Sequence, residues 1–377
     1  MSDAGPELLL KGIEEEVYTG KRDGEVVGMS HEIAADLQGF VTEPDCRNAE
    51  VALPPIQCYL ELGHTLLCYR RQLREYLSNR GDYTLLPGGS LALGDSSVFV
   101  LSNPNNPYYQ QIKSMYGANV VTASTHINIG ITDPEELIRA LRVLRAEAAL
   151  FLALSASSPF LDGQVTDFHS VRWHRFPKTP SDVPFFRDHA HYIEWVEAQL
   201  AAGSMHNIRH LWVSARPNGI GAPREIQRLE LRICDRVDDL PRLLAIIALM
   251  EARVHQVLED HDLDPLLTCG RDDAQLKQWA EENEDACARS SLDADVTRWN
   301  DGLTVTARDW LHEILESTKT AAAKKGFAEW LAPIEDILRE GNSAQAWLRQ
   351  VENGASVEEV YAAAVCETEE NESKLSF

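Results

Sequence analysis

Glu14 and Glu16 stand two residues apart in Leu9 to Tyr18, a segment whose composition and alternation read as a β-strand. A two-residue period puts both carboxylates on one face, with Ile13, Glu15 and Val17 on the other. Like charges placed this way repel unless a cation lies between them, so the pair marks the start of a divalent-metal site. Three further segments sort the same way. Glu50 shares a side with Ala52, and His126 shares one with Asn128. Arg228, Glu230 and Arg232 share a third. The opposite sides carry Val51, Leu53, Ile127, Ile129, Leu229, Leu231 and Ile233, which belong in a core.

A half-buried antiparallel sheet with a wet face is the plain alternative. Composition argues against it. Wet strand faces carry Thr, Ser, Lys and Gln, whereas this one carries acids, His and Arg. Carboxylates suit Mg²⁺, which keeps positions open for phosphate and water, and Mn²⁺ is the alternative. Arginine grips phosphate or carboxylate with two parallel hydrogen bonds. Arg172 and Arg216 are further candidates for anion binding. The set as a whole suits phosphoryl transfer, in which a protein positions groups and neutralises charge.

The elements that must hold these residues are legible in outline. Strands are expected at Leu9 to Tyr18, Glu25 to Gly28, Glu50 to Leu53, Thr122 to Ile131, Leu211 to Arg216 and Ile226 to Cys234. Helices are expected at Ser30 to Leu37, at Tyr59 to Ser78, and from Pro134 to about Ser155 with Asp133 as N-cap. Further helices are expected at Asp188 to Ala202 and Leu240 to Leu258. From about Leu266 onward the pattern is helical only, and the acidic end from about Glu367 reads as frayed. Strict βαβ alternation is missing, so the class is α+β, an antiparallel sheet with helices outside it. The expected division is a catalytic part over residues 1–265 and a helical extension over 266–377.

The 377 residues include 35 Lys plus Arg and 59 Asp plus Glu, a formal charge of −24. That balance excludes a nucleic-acid or anionic-membrane binder, which needs a basic footprint. Met1 to Glu7 lacks a secretory pattern, and Leu240 to Met250 is too short to span a bilayer. A cytoplasmic protein with small-molecule substrates is expected, and homo-oligomers are compatible with the sequence. Seven scattered cysteines without CxxC spacing read as reduced thiols. GxxxxGK[ST], HExxH and GxSxG are all absent. His189 and His191 read as surface or packing residues, and Trp195 and Trp212 as core.

Seven segments carry a resemblance in order: Lys11-Gly-Ile-Glu-Glu-Glu16, Glu43-Pro-Asp-Cys-Arg-Asn-Ala-Glu50, Gly81 to Gly88, Val121 to Gly130, Ser155 to Gly163, His210 to Gly219 and Arg228 to Asp235. Together they resemble the glutamate–cysteine ligases of the carboxylate–amine ligase type, most of all the cyanobacterial-type branch. The resemblance implies a funnel-like antiparallel sheet of the glutamine synthetase and guanidino kinase kind. It also implies an enzyme that joins glutamate to cysteine with ATP, the first step toward glutathione. On that basis Glu14, Glu16, Glu50 and Glu230 hold Mg²⁺ with His126 as a further ligand, and Glu230 and Arg232 serve the transferring phosphoryl group. Arg172, Arg216 and Asn128 bind phosphate or substrate. The alternatives are a ligase using another amine or acid, and a non-catalytic nucleotide-binding regulator. Two residues depart from the family pattern. Glu15 stands where an apolar residue is usual, so it belongs at a strand end or edge, or beside a base. Cys46 stands where Ser is usual, close enough to Glu50 for oxidation to disturb the site.

Overall fold

A computed structural model describes residues 8–377; Met1 to Glu7, where no leader pattern is read, lie outside them. The strands are β1 Lys11–Lys21, β2 Phe40–Thr42, β3 Asn48–Ala52, β4 Tyr83–Leu86, β5 Thr125–Gly130, β6 Phe160–Leu161, β7 Gln164–Val165, β8 Ala215–Asn218, β9 Arg228–Leu231, β10 Asp295–Thr297 and β11 Thr304–Thr306. Seven form one sheet in the order β2-β3-β1-β5-β9-β8, with β4 also paired to β1. All its pairings are antiparallel. β6 with β7 and β10 with β11 form two small separate ladders. The class is the expected α+β.

The register turns sequence alternation into rows across the sheet. Glu16 lies opposite Glu50, and Glu14 opposite both Ala52 and His126. Asn128 lies opposite Glu230, which lies opposite Arg216. On the other face Ile13, Val17, Val51, Ile127, Ile129, Leu229 and Leu231 enter the core. The Leu240–Glu259 helix is its centre, with every residue from Leu243 to Val254 buried. Removing this apolar surface from water drives the packing, at about 25 cal/mol per Å² buried.

Several expectations needed correction. The helix begun by Pro134 stops at Ala146, and a second runs Ala148–Ser155. Between them Glu147 leaves helical geometry, its carboxylate held by Arg253 and the Trp299 indole. The strand placed at Leu211 to Arg216 lies instead at Ala215–Asn218. It runs through Pro217 because β8 is an edge strand, where a missing N–H breaks no ladder bond. Glu25 to Gly28 contributes only a bridge from Val26 to Gly20. The region after Leu266 includes the β10–β11 hairpin. The acidic end is not frayed: Val357–Lys374 is a helix with a capping box at Ser356 and Glu359. Its Glu372 is buried against Arg70 and Arg74.

Candidate active site

The polar rows of the sheet open into a cavity of about 450 Å³. Glu14, Glu16, Glu50, His126, Arg172, Arg216 and Arg232 all border it. For all but Arg172, which stands on the short Val171–Arg175 helix, the convergence follows from the pleat, because alternate residues of each strand face the helices and this space.

β1 and β5 build the acidic side. His126 Nδ1 lies 3.2 Å from Glu14 Oε2, and its Nε2 lies 3.0 Å from Ser124 Oγ. Ser124 donates its hydroxyl proton to Glu16 Oε2 at 2.7 Å. Nε2–H must then be the donor to Ser124, since that hydroxyl has only one proton. Nδ1 accordingly faces Glu14 either with a second proton or with a lone pair, and the lone pair is the arrangement a cation completes. Burial, and then the charge of Glu230, push Glu14 up, but with that second proton on His126 its hydrogen bond and charge, together with Arg232, outweigh them and hold the carboxyl below its usual range.

A residue not singled out from the sequence sharpens this side. Glu43, between β2 and β3, borders the cavity beside Glu50 and hydrogen-bonds to it. Burial, together with the charges of Glu50 and Glu16, pushes Glu43 well above the carboxylate range. Burial pushes Glu50 up as well. Two carboxyls hydrogen-bond to each other only when one is protonated, and a cation in the same place would satisfy both. Hard oxygen donors with one imidazole suit Mg²⁺ or Mn²⁺, so the residues fit the metal that the sequence implies.

β8 and β9 build the basic side. Arg216 grips Glu230 through two hydrogen bonds, of 2.9 and 3.0 Å. Arg232 donates at 2.5 Å and the Asn218 amide at 2.5 Å. Burial pushes Glu230 up, yet the charges of Arg216 and Arg232 prevail and hold it well below the usual range. Donor atoms of Glu14, His126 and Glu230 lie within 4.8 Å of one another, a spacing that suits one ion. The four acceptor positions of Glu230 are nevertheless all taken, so a cation there displaces one of its donors. Arg172 is buried, and its Nη2 donates to the carbonyls of Arg232 and Cys234 at 2.8 Å each. Its Nε has no hydrogen-bond partner, although Asp235 Oδ1 lies 3.4 Å away.

Asn128 lies one row off. It contacts Glu14 at 3.4 Å and accepts from Arg228 at 3.1 Å. It borders an adjoining cavity of about 290 Å³ with Leu53, Pro55, Gly12 and Gly130. Trp212, read as core, is a wall of the main cavity, with Tyr108, Tyr109, Trp173 and Phe176. Exposed Arg209 borders it too. None of these positions has a strand period that would reveal it; only Glu43 and Trp212 lay within segments already notable for their order. His189 belongs to no metal-ligating cluster among the described residues, and its ring contacts the Pro223 carbonyl at 2.9 Å.

Fold and cavity define a class: an antiparallel sheet that gathers acids and an imidazole against arginines over one cavity. The chain belongs to glutamate-cysteine ligase family 2, whose profile matches residues 10–367. A Rubrobacter xylanophilus protein provisionally named glutamate–cysteine ligase 2-1 is 28% identical over 349 residues, covering 89% of this chain and 88% of its own. A Mycolicibacterium smegmatis relative with the same provisional name is 29% identical over 315 residues, covering 82% and 79%. The crystal structure of glutamate–cysteine ligase (gshA) from Francisella tularensis in complex with AMP superposes with a TM-score of 0.77 at 12% identity. That match covers 100% of this chain and 91% of the other, and shows a shared fold. No helix among the described residues is long and apolar enough to cross a membrane.

Proposed function

We propose that the protein is an ATP-dependent ligase that joins the γ-carboxylate of glutamate to the amine of cysteine through γ-glutamyl phosphate. The observation that carries this reading is the pairing, across one cavity, of a carboxylate group short of positive charge with a cluster of three arginines. Glu14, Glu16, Glu43, Glu50 and His126 would hold Mg²⁺ or Mn²⁺, with Glu230 at the boundary. A bound cation would supply neutralisation of triphosphate charge. The AMP named for the gshA neighbour supports a nucleotide in the same fold.

A carboxylate does not acylate an amine, because its oxygen leaves poorly. A γ-carboxylate oxygen of glutamate therefore attacks the γ-phosphorus of ATP, the bond to ADP breaks, and an acyl phosphate forms. The amine then attacks the acyl carbon, phosphate leaves, and the nitrogen gives up a proton. Arg232 and Arg216 are poised to neutralise the oxygens in transit, since Glu230 fixes both guanidinium planes. Arg172, with Nε free of a hydrogen bond, suits phosphate or the glutamate α-carboxylate.

One observation favours a second reading with the same phosphoryl chemistry and a different amine. Tyr108, Tyr109, Trp173, Phe176 and Trp212 give the cavity an aromatic wall larger than a cysteine side chain needs. Phosphate release from ATP and glutamate, measured against a panel of amines, decides between the two. Cysteine is expected to give the fastest release; release with cysteine no faster than buffer would end the leading reading. Glu230→Ala is expected to lower turnover by orders of magnitude, because both arginines lose their anchor.

A further inference from the structure

Trp212 also borders a second cavity, of about 280 Å³, between the loop over residues 178–183 and the Asp273–Ser290 helix. This space holds no residue of the candidate active site apart from that shared wall. Arg145, from the last turn of the Pro134–Ala146 helix, borders one part of it. Its guanidinium is buried, donates to the carbonyls of Val183 and Pro184, and lies over the Phe185 ring. It forms no ion pair with a carboxylate among the described residues, an unusual state for a buried cation. Ser214 Oγ borders the same space and is buried without a hydrogen-bond partner. Arg145 thus lacks a carboxylate ion pair and Ser214 a hydrogen-bond partner, two independent observations.

The rest of the wall has the opposite need. Glu281, Glu284 and Asp285 border it, with Lys178 as the other cation of the lining. Lys178 lies 3.6 Å from Glu284 and 3.2 Å from Asp285, and Lys277, outside the lining, lies 3.9 Å from Glu281, so three acids share two lysines. A simple anion would satisfy Arg145 but meet three carboxylates. A simple amine would satisfy the acids and leave Arg145 and Ser214 unpaired. Val183, Val213 and Ala280 supply an apolar patch.

We propose that this cavity binds a free α-amino acid with a small apolar side chain, its carboxylate on Arg145 and Ser214 and its ammonium on Glu281 and Glu284. The site is separate from the one proposed for ligation and does not depend on that reading. Calorimetric titration of the full chain with L-alanine, L-valine and L-leucine tests it, with propylamine and propionate as single-charge controls. One amino acid is expected to bind at millimolar concentration or below, and neither control to bind. Arg145→Met is expected to weaken binding by about tenfold or more. Ala280→Leu, which fills the apolar patch and keeps every charge, is expected to do the same should Arg145→Met fail to fold. Glu14→Gln is expected to bind as wild type. The proposal is overturned if no amino acid binds, if either control binds as well as the amino acids, if binding survives in a folded pocket variant, or if Glu14→Gln abolishes it.

Discussion

Glu230, buried and bound to the cavity's Arg216 and Arg232, and the half-buried Glu43–Glu50 pair on the cavity's acidic side stand in opposite electrostatic states. Glu230 has two arginines and an amide, and is held well below the usual carboxylate range. Glu43 and Glu50 have each other, and are pushed above it. Burial opposes ionisation in both places, so the difference comes from the partners. One side of the cavity is complete as folded; the other is short of positive charge. A site for a metal and a phosphate-bearing substrate needs that asymmetry.

Glu50→Gln breaks the comparison most severely. Turnover is expected to fall by about two orders of magnitude or more, since the proposed reading makes Glu50 a metal ligand. The metal-free protein is expected to melt at the same temperature or higher, because an amide beside Glu43 needs no shared proton. A turnover assay and a thermal melt read the two effects, and a variant that melts well below wild type would show that Glu50 is structural. At Glu230 the signs differ: its substitution takes the carboxylate from half-buried Arg232 and leaves half-buried Arg216 only the carbonyls of Arg209 and Leu211, so both activity and stability are expected to drop.

The next effect is a coupling between cation and proton. The Glu43–Glu50 pair is pushed toward its protonated forms, and a cation favours the ionised ones. Mg²⁺ affinity is therefore expected to rise with pH through the range in which the pair ionises, with proton release on binding in that range. Calorimetry in buffers of different ionisation enthalpy measures that release. Saturating Mg²⁺ is expected to raise the melting temperature by mass action, worth about 2.7 kcal/mol at a hundredfold excess over Kd. Binding without proton release would remove the distinction between the two sides.

Glu15 extends the comparison to the other face of β1. Its carboxylate is paired with Arg70, which also donates to the carbonyls of Val237 and Asp238. Burial pushes Glu15 up, but Arg70 outweighs it and the group is held below its usual value. A depressed folded value stabilises the fold above the unfolded value of about 4.3 and loses that contribution as pH falls through the folded one. Glu15→Gln is expected to cost about 3 kcal/mol at pH 7 in urea unfolding. The gap to wild type should narrow below about pH 4; a gap independent of pH would mean that the ion pair contributes nothing.

Strand alternation made much of this legible. It placed Glu14, Glu16, Glu50, His126, Glu230 and Arg232 on one face because the pleat is local and its period is fixed. It also turned Glu15 inward, where a strand end or edge or a basic partner was expected; β1 is an interior strand paired on both sides of Glu15, and the basic partner is the one present. Alternation has no hold on Glu43, which lies between strands, or on Arg172 and Trp212, whose approach to the cavity is set by tertiary packing. The end helix departs from expectation for a related reason. Acidic composition suggests fraying, but Arg70 and Arg74 on a distant helix supply the charge that anchors Glu372.

The smallest effect concerns Cys46, which lies in the segment joining Glu43 to Glu50 and offers oxidation a route to the charge-poor side. Burial, and then the charge of Asp45, pushes its thiol up to about 11. Only about one molecule in ten thousand then carries the thiolate at pH 7, against a few per cent for a free cysteine. Alkylation with iodoacetamide, followed by peptide mass spectrometry, is expected to mark the exposed Cys58, Cys68 and Cys366 well before Cys46. Activity lost to mild peroxide should be lost equally in Cys46→Ser. Early labelling of Cys46, or protection by that substitution, would make the segment a redox-sensitive part of the site and tie its charge deficit to oxidation as well as to metal.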